Sequence, residues 1–140
     1  VQARVTDVPP TYNLINLSEV DYDMSWLPIR ETQEWKTILE NSNDYPQIVF
    51  KHSTRCNISA LAKSRVEKMF SDKDHFYLVD LLQYRNISNT IASDLQITHE
   101  SPQVLVIKNG HCVYHESHTA INYDDIIAAC AAANRATGTR

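Results

Sequence analysis

The sequence predicts one α/β domain, a mixed four-stranded sheet with helices on both faces. Short apolar runs at Gln47–Lys51, His75–Leu82, Gln103–Lys108 and His111–His115 have the length and bounding turns of strands. Segments of helical period separate the first three runs and close the chain. Asn109-Gly110 joins the last two, and an Asn-Gly pair between strand-like runs is the strongest short-range hairpin signal.

In chain order, residues 1–25 show little hydrophobic periodicity and carry Pro9-Pro10. They read as an arm, with Tyr12–Val20 an edge strand or a segment lying across the domain. The domain spans 26–134. Trp35, Ile38 and Leu39 sit at helical spacing between Glu31 and Asn41, and Asn43-Asp44-Tyr45-Pro46 is a turn. After the first strand, Ile58, Leu61, Ala62, Val66, Met69 and Phe70 are expected to mark one face of a helix, and Ser71–Asp74 breaks it. Ile87, Ile91 and Leu95 define the next helix, and Ser101-Pro102 precedes the third strand. Asn122 is a good N-cap for the last helix, with Asp124 and Asp125 in its first turn and Ile126, Ile127, Cys130 and Ala131 as its apolar face. Residues 135–140 read as a polar tail. A helix between the first two strands makes them parallel through a right-handed crossover, and the hairpin makes the last two antiparallel.

Composition narrows the function. The 140 residues are 43% hydrophobic and 21% charged, as in a soluble globular domain. Thirteen Lys and Arg against seventeen Asp and Glu leave a net charge of −4, which disfavours a nucleic-acid binder. The two glycines, Gly110 and Gly138, exclude the glycine-rich dinucleotide turn, the phosphate loop and the G-x-S-x-G nucleophile elbow. The longest apolar run, Ile126–Ala133, is far short of the roughly 20 residues that cross a bilayer, so no membrane partner is expected. Cys56, Cys112 and Cys130 are odd in number and contain no C-x-x-C pair. Free thiols in a reducing, cytoplasmic compartment are the simpler expectation, and no zinc site is supported.

The chemistry concentrates at Lys51-His52-Ser53-Thr54-Arg55-Cys56-Asn57-Ile58-Ser59. Cys56 stands where a buried strand ends and a helix begins, and Ser53 or Thr54 can cap that helix. Helix N-termini and nearby cations favour thiolate over thiol. Between Tyr45 and Val66 there is no acidic residue, while Lys51, Arg55, Lys63 and Arg65 are all present. That window is +4 inside a chain of −4, an electropositive setting for a reactive thiolate and an anionic thiol substrate. Lys51 and Arg55 are otherwise solvated charges, and Cys56 is otherwise an inert buried thiol. Cys56–Ser59 is Cys-x-x-Ser where a dithiol oxidoreductase has a second cysteine. Ser59 lies one turn on, where it can donate a hydrogen bond to the thiolate but cannot resolve a mixed disulfide. The expected chemistry is monothiol exchange. His99-Glu100-Ser101-Pro102 lies where thioredoxin-like folds place a cis-proline opposite the cysteine, beside backbone that pairs with an extended substrate. An ordinary trans proline at a strand start is the plain alternative.

In this order these segments resemble the thioredoxin-like monothiol bacilliredoxin family of the bacillithiol system. The resemblance runs through Phe50-Lys-His-Ser-Thr-Arg-Cys56-Asn-Ile-Ser59, Tyr77-Leu-Val-Asp-Leu81 and His99-Glu-Ser-Pro-Gln-Val-Leu-Val-Ile-Lys-Asn-Gly110. It continues through Tyr114-His-Glu-Ser-His118 and Tyr123-Asp-Asp125, covering about Trp26 to Ala133. Asn57 departs from it, since many relatives carry proline there. The resemblance implies a thioredoxin-like fold and removal of bacillithiol from protein mixed disulfides, with Cys56 as attacking thiolate. Lys51, His52, Ser53, Thr54, Arg55 and Ser59 would tune it, and His99, Ser101 and Pro102 would bind substrate. The implied partners are bacillithiolated client proteins and then free bacillithiol or a partner reductase. No cofactor is implied, bacillithiol being a co-substrate. A glutathione-type or general disulfide reductase, an iron–sulfur carrier of the monothiol glutaredoxin kind, and a non-catalytic thioredoxin-like adaptor are the competing readings. The carrier reading lacks the glycine-phenylalanine pair those proteins have after the cysteine.

Other residues read as structural. Cys112 and Cys130 can be resolving thiols, but core placement is preferred. His111 and His115 share a strand face roughly 13 Å apart, too far to bind one metal ion, so they and His118 read as surface residues. His52 and His99 flank the site and can tune the thiolate or handle a proton. Trp26, Trp35, Phe76 and Tyr77 read as core.

Overall fold

The computed structural model describes residues 26–71 and 75–138. The expected arm, with its possible strand at 12–20, lies outside the described residues, as do Asp72–Asp74. In chain order the elements are β1 (Trp26–Pro28), α1 (Thr32–Asn41), β2 (Gln47–His52), α2 (Asn57–Glu67), β3 (Phe76–Asp80), α3 (Arg85–Leu95), β4 (Gln103–Lys108), β5 (His111–Ser117), a short 3-10 turn at His118–Ala120, and α4 (Tyr123–Gly138).

The sheet has five strands, not four, in the order β1-β3-β2-β4-β5. The additional strand is β1, three residues long, which pairs in parallel with β3 from Trp26↔Phe76 to Pro28↔Leu78. Three residues are too few for alternation to register, and only the partner strand reveals them. An edge position also tolerates Pro28, which has no amide to donate. β2 and β3 are parallel and β4–β5 is antiparallel, as the crossover and the Asn-Gly turn require. Asn109 and Gly110 have φ of +55° and +77°, the left-handed pair of a tight hairpin turn.

Each face of the sheet carries its own core. On one, Val49, Val79, Leu105 and Ile107 pack against Trp35 and Ile38 of α1 and Ile87, Ile91 and Leu95 of α3. On the other, Ile48, Phe50, Phe76, Val104 and Val106 pack against Ala62 and Val66 of α2 and Ile126 of α4. β2 and β4 are buried along their whole length because helices cover both faces. The four aromatic residues read as core are all buried, Trp35 and Phe76 completely.

Three expectations change. The inward face of α2 is Ser59, Ala62 and Val66, whereas Ile58 and Leu61 are 47% and 57% exposed and Met69, beyond the helix, is also exposed. The apolar spacing misleads there because a serine takes an inward position and hydrogen-bonds within the core. The tail does not begin at 135, since α4 continues to Gly138. Ala132, Ala133 and Ala136 extend the helix because alanine costs little in any helical position. Finally, α2 starts without Ser53 or Thr54 as cap: Cys56 itself is the N-cap, and no side chain caps the helix. The Asn122 cap of α4 forms as expected, its Oδ1 accepting the Asp125 amide at 2.9 Å.

Candidate active site

Cys56 occupies the N-cap with extended backbone (φ −107°, ψ 120°), and its carbonyl accepts the Ala60 amide at 3.0 Å. Its own amide donates to the Ser53 carbonyl at 3.2 Å, closing the turn between β2 and α2. A serine or aspartate at an N-cap normally spends its side chain on the first-turn amides. With cysteine there, those amides and the positive end of the helix lie beside a half-buried thiol.

Opposite this turn stands the start of β4. Lys51 pairs with Gln103 across the antiparallel β2–β4 ladder, so the end of β2 and Pro102 share one end of the sheet. The Ser101–Pro102 bond is cis. Gln103 braces the preceding loop: its Oε1 accepts the Glu100 amide at 3.3 Å and its Nε2 donates to the Thr98 carbonyl at 3.1 Å. The Ser101 hydroxyl oxygen is buried with no hydrogen-bond partner among the described residues.

The consecutive Lys51 and His52 diverge because strand residues alternate faces. Lys51 points toward α3 and is completely buried. Its Nζ donates to the Ser88 carbonyl at 3.2 Å and lies 3.3 Å from His99 Nδ1. The Ser88 hydroxyl lies 3.4 Å from the same nitrogen. Burial pulls the Lys51 ammonium down from 10.5 to about 8. His99 is held below its ordinary value by burial first, then by the charges of Lys51 and Arg85, with Glu100 opposing. His52 points toward α2 and is 8% exposed. Its Nδ1 is 2.6 Å from Ser59 Oγ, which also accepts the Ser53 amide at 3.0 Å. Burial and then Lys63 lower the His52 value, while Asp80 and Glu67 raise it.

The geometry redraws several expected roles. Ser59 is completely buried, and its hydroxyl is engaged with His52 and Ser53 rather than with Cys56. It pins the turn instead of serving the sulfur. Lys51 is not a solvated charge. The +4 window also does not become a +4 surface. Lys63 is paired with Glu67 at 2.8 Å and sits 5.1 Å over the Trp26 ring. Arg65 donates to the Thr119 and Ile121 carbonyls, tying α2 to the 3-10 turn. Arg55 remains as the exposed cation next to Cys56, and Thr54 is exposed beside it.

The other cysteines stand apart. Cys112 pairs with Ile107, which pairs with Gln47 at the start of β2, so it lies at the opposite end of the sheet. Five residue steps along β2 separate Gln47 from His52, roughly 17 Å at ~3.3 Å per residue. Burial raises the Cys112 thiol, and its Sγ donates to the Tyr114 carbonyl at 3.3 Å. Cys130 packs at the margin of the core beneath α2 and α4. No group of three or more potential metal ligands forms among the described residues, and His118 instead lies 3.6 Å from Glu100. No helix among those residues is long and apolar enough to cross a membrane.

Of the residues named from the sequence, Cys56, Lys51, His52, Ser59, His99, Ser101 and Pro102 lie toward this end of the sheet; Ser88 and Gln103, which support Lys51 and the proline loop, were not named. Nothing local marks these two; they matter only because α3 and β4 carry them to Lys51 and to the proline loop.

Known structures and families agree with this architecture. A solved structure described as a candidate oxidoreductase with a thioredoxin fold is 27% identical, with a TM-score of 0.68 over 75% of this chain and 93% of its own. A thioredoxin from Malassezia sympodialis matches at 18% identity and a TM-score of 0.60, over 78% of this chain and 90% of its own. Thioredoxin f from spinach chloroplast matches at 18% identity and 0.58, over 79% and 95%. The fold is thioredoxin-like, and the family and fold are those of thiol-disulfide oxidoreductases. The family model described as monothiol bacilliredoxin BrxC matches residues 27–126, and the chain belongs to that family.

Proposed function

We propose that the protein removes bacillithiol from protein mixed disulfides by monothiol exchange at Cys56. The Cys56 thiolate attacks the bacillithiol sulfur of the client disulfide. The client sulfur leaves with the bonding electron pair, and Cys56 keeps bacillithiol as a new disulfide. Free bacillithiol or a partner reductase then attacks that disulfide and regenerates the thiol. The observation that carries this reading is Cys56 at an uncapped helix start, with a fully buried serine where a dithiol enzyme has its second cysteine. Cys112, at the far end of the sheet, does not compete to resolve the intermediate. Exposed Arg55 supplies a cation beside Cys56 for the malate carboxylates of bacillithiol. Family membership supports bacillithiol over other small thiols.

The test is intact mass after mixing reduced protein with a bacillithiol-modified client, beside the same client carrying glutathione. The expected result is a bacillithiol adduct on Cys56 with the client thiol freed, and much slower glutathione transfer. Equal transfer would mean a general monothiol oxidoreductase. Transfer of neither would leave a non-catalytic adaptor.

A further inference from the structure

The most unusual group in the molecule is a completely buried lysine in the central strand. Its ammonium meets no carboxylate in the contacts it makes: Nζ touches the Ser88 carbonyl and His99 Nδ1. A lysine ammonium has three donors and no acceptor. While Lys51 is charged, His99 Nδ1 must therefore accept its hydrogen bond, and the imidazole proton must sit on Nε2. The Ser88 hydroxyl, 3.4 Å from Nδ1, can donate to the same nitrogen and reinforces that tautomer. His99 is half-buried, in the loop three residues before Pro102, and so at the end of the sheet where Cys56 stands.

Building on the thiol-exchange reading, we propose that Lys51 and His99 form a proton relay that protonates the client sulfur as it leaves. Cys56 donates its electron pair to the bacillithiol sulfur, the client S–S bond breaks, and its electron pair stays on the client sulfur. His99 Nε2 gives its proton to that sulfur while Lys51 gives one to Nδ1. The products are a neutral client thiol, a neutral Lys51 amine and His99 with its proton on Nδ1. A proton returning from water through the imidazole restores the starting state. Neutral imidazole alone cannot do this, because losing Nε2–H with nothing gained at Nδ1 would leave an imidazolate. The buried lysine removes that obstacle, and its value of about 8 is close to the ~8.5 of an ordinary thiol, a match that suits proton transfer in either direction. Arg85 and Lys51 both oppose a second proton on the ring and Glu100 favours it, with burial adding to the opposition.

Two measurements test this, and neither uses bacillithiol, so loss of bacillithiol specificity would strike the proposed substrate and not the relay. The first is the nitrogen-15 spectrum of the histidine side chains in the wild-type chain at pH 7. His99 is expected with Nε2 protonated and Nδ1 bare, and Lys51→Met should mix the two tautomers. A proton on Nδ1 in the wild type, or no change in the variant, would overturn the assignment. The second compares Cys56 attack on cystamine, whose alkyl thiol needs a proton, with attack on an aromatic nitrobenzoate disulfide, whose thiolate does not. His99→Gln, which keeps a donor but cannot pass a proton, should lower the alkyl-to-aryl rate ratio about tenfold. That is below the usual range for general acids because a thiolate is already a fair leaving group. In the wild type the same ratio should fall as pH rises through about 8, where Lys51 loses its proton. A ratio unchanged in His99→Gln and flat with pH would refute the relay.

Discussion

Replacing Lys51 with methionine should stabilise the fold at neutral pH, and the gain should vanish in alkali. Lys51 is fully buried, and its ammonium has a folded value of about 8 against 10.5 when free. The gap of about 2.5 units, at ~1.36 kcal/mol each, sets a ceiling of about 3 kcal/mol on the cost of keeping that charge inside. The substitution also disturbs the Ser88 and His99 contacts, so the expected gain is about 1–2 kcal/mol. Methionine fits the length of the lysine stem, and the Ser88 carbonyl keeps its helical partner inside α3. The folded value is lowered. Between pH ~8 and ~10.5 the unfolded chain therefore holds a proton that the folded chain has released, and wild-type stability rises with pH across that window. The methionine variant lacks this titration, so its advantage is full below pH 8 and gone by pH 10.5. Urea unfolding followed by fluorescence of buried Trp26 and Trp35, at pH 7 and in steps to pH 10, measures it. A variant less stable than wild type at pH 7, or an advantage that does not change with pH, would refute the claim that the buried charge is the cost. A stability gain paired with slower exchange would mark Lys51 as retained for chemistry.

Other outcomes follow from the same geometry. Cys56→Ser should abolish adduct formation with any disulfide and raise stability in urea by about 0.5–1 kcal/mol, since serine can cap a helix start that cysteine leaves uncapped. The Cys112→Ala, Cys130→Ala double variant should keep exchange activity, read by the same mass assay; loss of turnover would expose a resolving thiol. Ser59→Ala should cost about 1–3 kcal/mol, because the Ser53 amide and His52 Nδ1 both lose their partner at this fully buried hydroxyl. A cost near zero by urea titration would mean the turn is held otherwise. Gly110→Ala should cost about 1 kcal/mol through its φ of +77° alone, as no atom lies within 4 Å of the added Cβ.

Much of this protein was legible in its sequence because it is encoded over short distances. Apolar alternation and helical spacing act between near neighbours, and so gave the order of β2, α2, β3, α3, β4, β5 and α4. Asn109-Gly110 marked its own turn because the two residues tolerate positive φ. Cys56 stood out as the candidate reactive group from a strand end, a helix start and a serine one turn later, and the structure places it at that helix start. What tertiary structure decided is everything set by partners far away in the chain. β1 exists as a strand because Phe76–Leu78 is there to pair with it. The positive charges around Cys56 were drained by Glu67, by Trp26 and by carbonyls of residues 119 and 121, the last more than fifty positions from Arg65. Ser59 turned inward because His52 and the Ser53 amide offered it bonds within the core. Lys51 and His52 read in sequence as one basic pair, yet strand alternation sends one to Ser88 and His99 and the other to Ser59. Those partners lie thirty-seven and forty-eight residues from Lys51, beyond any local pattern. The sequence by itself singled out Cys56; only the packing of α3 and the proline loop against β2 decided that Lys51 meets Ser88 and His99.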